Sequence, residues 1–124
     1  MQLDRLTITL PWPDTSLMPN RKNGKHWGST QAAKVRARQD AYLATKSALG
    51  TNKLADKGQY PMRVTFVAPD RIRRDWDNLA AAGKASYDGI AQALGIDDSL
   101  FLPVTVDKAV DTQKQGFVIV EIGL

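Results

Sequence analysis

An α+β fold is predicted, a small mixed sheet with two helices packed on it in the order β–α–β–α–β–β. Three observations predict it. Four short segments alternate apolar and polar residues with the period of a half-buried strand. Two longer segments rich in helix formers separate them. Proline, glycine and asparagine punctuate the joints.

The first strand runs from Leu3 to Leu10, with Leu3, Leu6, Ile8 and Leu10 on one face and Arg5, Thr7 and Thr9 on the other. Pro11 and Pro13 end it, because proline has no amide hydrogen for a ladder. A long loop rich in Pro, Asn, Gly and basic residues follows to about Gly28, a length typical of functional or mobile segments. Ser29 or Thr30 caps a helix reaching Leu49. Its apolar residues are mostly alanines (Ala33, Ala37, Ala41, Ala44, Ala48), so close packing is expected. A polar connector from Gly50 to Gly58 leads to a second strand, Met62 to Val67. The second helix spans Asn78 to Leu94 and stops at Gly95, a residue suited to a helix C-terminus. Val104 to Val110 and Phe117 to Ile122 read as a closing hairpin.

At 124 residues the chain is expected to form one domain over 1–124. It has no cysteine, which removes disulfides, thiolate catalysis and zinc–thiolate sites. A single histidine, His26, excludes any site needing two imidazoles from one chain. No basic leader precedes a long apolar run, and no segment approaches the roughly 20 apolar residues of a membrane span. A cytoplasmic protein is therefore expected.

The net charge of +4 says little, but its distribution says more. Residues 1–62 carry ten Lys/Arg against four acids, whereas residues 85–124 carry two against six. Between Arg21 and Arg38 six bases (Arg21, Lys22, Lys25, Lys34, Arg36, Arg38) occur with no acid. This is either an electrostatic footprint for a nucleic-acid backbone or a solvated helix face.

The chemistry-bearing stretch is Arg71-Ile-Arg73-Arg74-Asp75-Trp76-Asp77-Asn78, with Asp97-Asp98 about twenty residues later. If the stretch is extended, Asp75 and Asp77 point to the same side. A third carboxylate from elsewhere completes an oxygen cage suited to a hard cation such as Mg²⁺. Arg71, Arg73 and Arg74 would repel that cation and make more sense against phosphate. Metal and phosphate together suggest phosphodiester chemistry. Taken alone, Asp75 and Asp77 also fit a pair of solvated turn acids, and Asp97-Asp98 a turn that ends a helix.

The wider pattern is more specific. Arg73-Arg74-Asp75-Trp-Asp77-Asn78-Leu79, then Lys84-x-x-x-Asp88-Gly89-Ile90, then Gly95-Ile-Asp97-Asp98, resembles the RusA family of Holliday junction resolvases, crossover junction endodeoxyribonucleases. Leu10-Pro11-Trp12-Pro13, with Asn20 behind it, is similar to that family's N-terminal signature. The resemblance implies a homodimeric, Mg²⁺-dependent endonuclease, with Mn²⁺ as a substitute, that makes paired nicks across four-way DNA junctions in recombination and repair. It implies that Asp75, Asp77 and Asp98 are the catalytic, metal-binding acids and that Lys84 is the essential lysine. Lys84 lies seven residues after Asp77, a longer spacing that resembles phage-type members. On one continuous helix seven residues make about two turns and return to nearly the same face.

Elementary chemistry agrees with this. Phosphodiester hydrolysis needs an activated water and stabilised charge on the phosphate oxygens, both of which bound Mg²⁺ supplies. Arg71, Arg73 and Arg74 are expected to hold flanking phosphates without reading sequence. Arg21, Lys22, Lys25, Lys34, Arg36 and Arg38 are expected to grip the DNA arms. A two-fold dimer would match the near two-fold symmetry of the junction. Asp88 is expected to pair with Lys84 one helical turn away, and Trp76 to pack beneath the acids. Asn78 either caps the following helix or positions a phosphate. Trp12 either packs on the core or stacks on a base. Two alternatives stay open, a broader branched-DNA or duplex nuclease and a non-catalytic junction-binding module.

Overall fold

The computed structural model describes residues 1–18 and 27–123. The predicted class holds: a mixed sheet with helices on one face. The strands are β1 (Gln2–Leu3), β2 (Arg5–Pro11), β3 (Lys53–Leu54), β4 (Met62–Ala68), β5 (Val104–Val110) and β6 (Phe117–Gly123). The helices are α1 (Trp27–Leu49), α2 (Trp76–Ala82) and α3 (Lys84–Leu94), with 3-10 turns at Thr15–Leu17 and Asp98–Leu100.

The main sheet has the order β2-β6-β4-β5. Strand β6 runs antiparallel to both β2 and β4, while β4 and β5 are parallel. Helices α2 and α3 form the crossover that a parallel pair requires. The period-2 reading is realised closely in β2, where Leu6, Ile8 and Leu10 are buried and the residues between them exposed. Val118, Val120 and Ile122 of β6 and Met62, Val64 and Phe66 of β4 join them in one core. Ala33 and Ala41 of α1, Leu79 and Ala82 of α2, and Ile90 of α3 cover that face.

Three expectations are corrected. The last two strands are not a hairpin, because β6 inserts between β2 and β4 and leaves β5 at the edge beside β4. Composition explains the outcome. Phe117-Val-Ile-Val alternates fully buried residues as a central strand does, whereas Val104-Thr-Val-Asp-Lys is largely exposed. The second correction is the helix expected over Asn78–Leu94, which is two helices broken at Gly83. The Tyr87 ring crosses that break. A side-chain carbon at Gly83 would overlap the Tyr87 hydroxyl, so a larger residue there would displace that ring. Finally, the opening strand is split at Asp4. Gln2 and Leu3 pair in parallel with β3, which lies within the expected polar connector.

The close packing expected of the alanine-rich helix is realised where α1 meets α3. A Cβ at Gly89 would overlap the carbonyl oxygen of Arg38 and lie 3.2 Å from the Ala41 Cβ. Helix α3 ends as predicted at Gly95, whose φ of 71° is in the left-handed region.

Candidate active site

Between β4 and α2 the chain runs through Pro69 to Asp75, and hydrogen bonds set its shape. The Asp70 carboxylate accepts from the Ile72 amide (3.0 Å) and from Arg74 Nη1 (2.8 Å). Arg74 Nη1 also donates to the Ile72 carbonyl (3.1 Å), and its guanidinium lies 5.2 Å from the centroid of the Trp12 ring. Such a stack adds a cation–π attraction to the ion pair. Lys108 of β5, which drew no attention in the sequence, donates through Nζ to the Arg74 carbonyl (3.1 Å). Only the parallel pairing of β5 with β4 brings it there.

The turn between β5 and β6 braces the same loop. Asp111 accepts from the amides of Gln113 (2.9 Å), Gln115 (3.1 Å) and Gly116 (2.9 Å). These bonds hold its carboxyl below the ordinary range. The resulting stabilisation is present above the unfolded carboxylate's pKa and is lost as pH falls through the lowered folded value. Gly116 sits against Pro69 and Trp12 with φ 80°, where a Cβ would come within 2.9 Å of Pro69 Cδ.

The three arginines thus divide. Arg74 is held inward by Asp70 and Trp12, with its side chain 18% exposed, while Arg73 is 93% exposed. Expected as a phosphate ligand, Arg74 is instead committed to the loop that delivers Asp75. Arg71 and Arg73 remain at the surface beside Lys108, in a depression that also includes Asp70 and Val110.

Asp75 and Asp77 are not extended neighbours. Asp75 has extended backbone at the N-cap of α2, with φ −79° and ψ 143°, and Asp77 already lies in the first turn. The two side chains therefore do not share the face of a strand, as an extended segment would require; the helix start sets their relation. The Asp75 carboxylate makes no capping bond and faces Arg73 Nε at 3.7 Å. Asp77 Oδ1 accepts from the Asn78 amide (3.0 Å). Asn78 sits inside α2 and does not cap it. Trp76, expected beneath the acids, is 63% exposed, because the helical turn swings it outward.

Lys84 opens α3 after the Gly83 break, so the two-turn argument on one continuous helix is replaced by the geometry of that break. Among the described residues Lys84 makes no ion pair with Asp88. Asp88 instead meets Asp98. The Asp98 carboxyl is held above the ordinary range first by its hydrogen bond to Asp88, then by desolvation, and further by Asp97 and the charges of both neighbours. Asp97 caps the following 3-10 turn, accepting from the Ser99 amide (2.9 Å), and is held low mainly by that bond. The expected result for Asp88→Asn is a fall in the Asp98 pKa toward the usual carboxylate value, read by carbon-detected NMR titration. An unchanged Asp98 would refute the pairing.

All donors here are carboxylate oxygens, the set a hard cation takes. Crowding of Asp98 against Asp88 and Asp97 is the repulsion such an ion relieves. Among the described residues no three acidic or histidine side chains converge as a metal cage. Mg²⁺ is commonly held by one or two carboxylates completed by substrate phosphates, a mode that asks only for exposed acids such as Asp75 and Asp77 at the start of α2. Of the basic cluster, Lys34, Arg36 and Arg38 lie on α1, with Arg36 and Arg38 exposed. Arg21, Lys22, Lys25 and His26, with Asn20, lie outside the described residues.

This is an α+β domain whose acids open a helix behind an arginine-bearing loop. A crossover junction endodeoxyribonuclease RusA from Escherichia coli O139:H28 is 32% identical over 127 residues, covering 98% of both chains. RusA of Escherichia coli K12 is 32% identical over 110 residues, covering 86% of this chain and 84% of that one. An uncharacterised protein of Xylella fastidiosa is 37% identical over 97 residues, covering 77% of this chain but only 62% of its own length. The chain belongs to the RusA family. No family model matches it. Among solved structures, IspF of Plasmodium falciparum in complex with CDP is similar with a TM-score of 0.31 and 15% identity, covering 75% of this chain and 53% of that one. That likeness is too distant to bear on the site. Among the described residues no helix is long and apolar enough to cross a membrane.

Proposed function

We propose that this chain is a structure-selective DNA endonuclease that resolves four-way junctions by paired, symmetric nicks, acting as a homodimer with Mg²⁺ in recombination and repair. The single observation behind this reading is the end-to-end match to RusA proteins named for crossover junction cleavage. The site is chemically suited to it. Arg71 and Arg73, exposed beside Lys108, receive backbone phosphates through their guanidinium forks. Of the acids that the family pattern assigns, Asp75, Asp77 and Asp98, one or two would hold the cation with substrate phosphates completing its shell, and when bound it polarises the phosphate and acidifies a water. The Trp12–Arg74–Asp70 contacts keep Asp75 in place so that little reorganisation accompanies reaction. Lys84, exposed and without an ion pair among the described residues, is available to steady charge on the phosphate oxygens. Arg36, Arg38 and Lys34 extend the positive surface along α1 toward the DNA arms. The setting is the cytoplasm of a bacterial or phage-infected cell.

One observation favours a second reading, a junction-binding module without cleavage: the acids are not gathered into a three-ligand cage among the described residues. An end-labelled four-way junction beside a linear duplex of matching sequence, each with Mg²⁺ or chelator, separates the readings. Symmetric Mg²⁺-dependent nicks near the crossover, absent from the duplex, are expected. Equal cutting of both substrates would indicate a general nuclease. Tight binding without cutting in Mg²⁺ would indicate the module. In each case affinity falls steeply with salt as counterions are released.

A further inference from the structure

Trp12 belongs to the opening motif, yet the proposed chemistry gives it no contact with DNA. Its ring meets Phe66 edge-on, with centroids 6.2 Å apart and planes at 89°. The Arg74 guanidinium lies 5.2 Å from its centroid. These two contacts fix the indole while leaving it only half-buried. It lines a cleft of about 370 Å³ whose other apolar surfaces come from Met18 and Ile72 and whose polar lining includes Arg73, Asp75 and Asn78. A volume of that size lies within the range of small-molecule sites. The cleft therefore combines an oriented aromatic ring, a thioether and an aliphatic side chain with groups that donate and accept hydrogen bonds. Two arginines, Arg73 and Arg74, and one of the proposed catalytic acids lie directly in it.

We propose that this cleft takes an unstacked nucleobase from the nucleotide beside the phosphate at Asp75. The inference rests on the nuclease reading and adds what that reading lacks, a structural reason to prefer branched DNA. The ligand matches in each part: a nucleobase has flat apolar faces for Trp12, Met18 and Ile72 and a polar edge for Asn78, and the phosphate attached to its sugar suits Arg73. A base inside plain duplex is stacked on both sides and paired, so leaving the helix costs several contacts. Where the arms of a junction are held open, bases flanking the crossover lack a stacking neighbour on one side, and removal costs less there. The cleft then rewards DNA whose bases leave the stack easily, without reading sequence.

The test measures binding in chelator, so that no strand is cut, using junctions carrying one abasic site at each position across the crossover. Cut positions are mapped separately with Mg²⁺ on the intact junction. Thr15 is exposed and lines the cleft, so Thr15→Trp fills it without disturbing the core. Ile72, 57% exposed, gives Ile72→Ala as a second variant that leaves folding intact. The wild-type protein is expected to bind about ten-fold more weakly when the abasic site flanks the cut position, and normally when it lies elsewhere. Thr15→Trp is expected to lose a similar factor on intact DNA and nothing further on that abasic junction. Ile72→Ala is expected to show a smaller abasic penalty than wild type. Loss at no particular position, or an equal abasic penalty in all three proteins, would overturn the cleft assignment while cleavage stood. Failure to bind or cut any junction would overturn the nuclease reading and this inference with it.

Discussion

Asp75→Asn and Asp77→Asn are expected to reduce junction cleavage by at least about 10²-fold, with junction binding in chelator within a few-fold of wild type. Asparagine keeps the size and one oxygen of each side chain but removes the charge that holds a cation. Fold and affinity are expected to survive because neither carboxylate is part of the core. Asp75 makes no capping bond, and among the described residues Asp77 bonds only the adjacent amide. Both are exposed. Removing the Asp75 charge also frees Arg73, 3.7 Å away, so binding is expected to hold or tighten slightly. Single-turnover cleavage beside equilibrium binding checks the split. Variants that fold, bind and cut at the wild-type rate would remove these acids from the chemistry.

The largest expected effect on stability is at Gly89. Gly89→Ala places a methyl group onto the Arg38 carbonyl oxygen, a backbone atom of α1 that no rotamer change can move. The helices must separate, and the core beneath them loses contact. Ala41 and Ile90 are both 0% exposed, so the seam has no slack to absorb the shift. The expected loss is about 3 kcal/mol, at the upper end of overpacking costs. Thermal unfolding should then fall by about 10 °C or more. Gln92→Ala on the exposed side of α3 is the control, with little change expected. A Gly89→Ala protein as stable as wild type would mean that α1 and α3 do not cross there.

Much of the fold was legible because its signals are local. The alternation in Leu6, Ile8 and Leu10, the helix stop at Gly95 and the alanine face of α1 each follow from neighbouring residues and their periodicity. Strand pairing is not local. Alternation locates strands at Val104–Val110 and Phe117–Ile122, yet a turn-rich connection between two strands does not say which neighbours they choose. The choice went to burial. The more apolar strand took the centre, and the edge went to the strand carrying Thr105, Asp107 and Lys108.

For the site, the chain by itself determined the inventory: the acids, the arginines before them, and the spacing that resembles the RusA family. Tertiary structure decided what each residue does. Arg73 and Arg74 are adjacent and identical in sequence, but only Arg74 finds Asp70 and the Trp12 ring, because β2, β4 and the loop after β4 converge there. Lys108 joins that loop only through the parallel β4–β5 pairing, from 34 residues away. Asp88 meets Asp98 because the turn that begins at left-handed Gly95 brings Asp98 back to α3. Residue type and spacing are properties of the chain, but charge pairing and exposure depend on distances through space that only the folded chain sets.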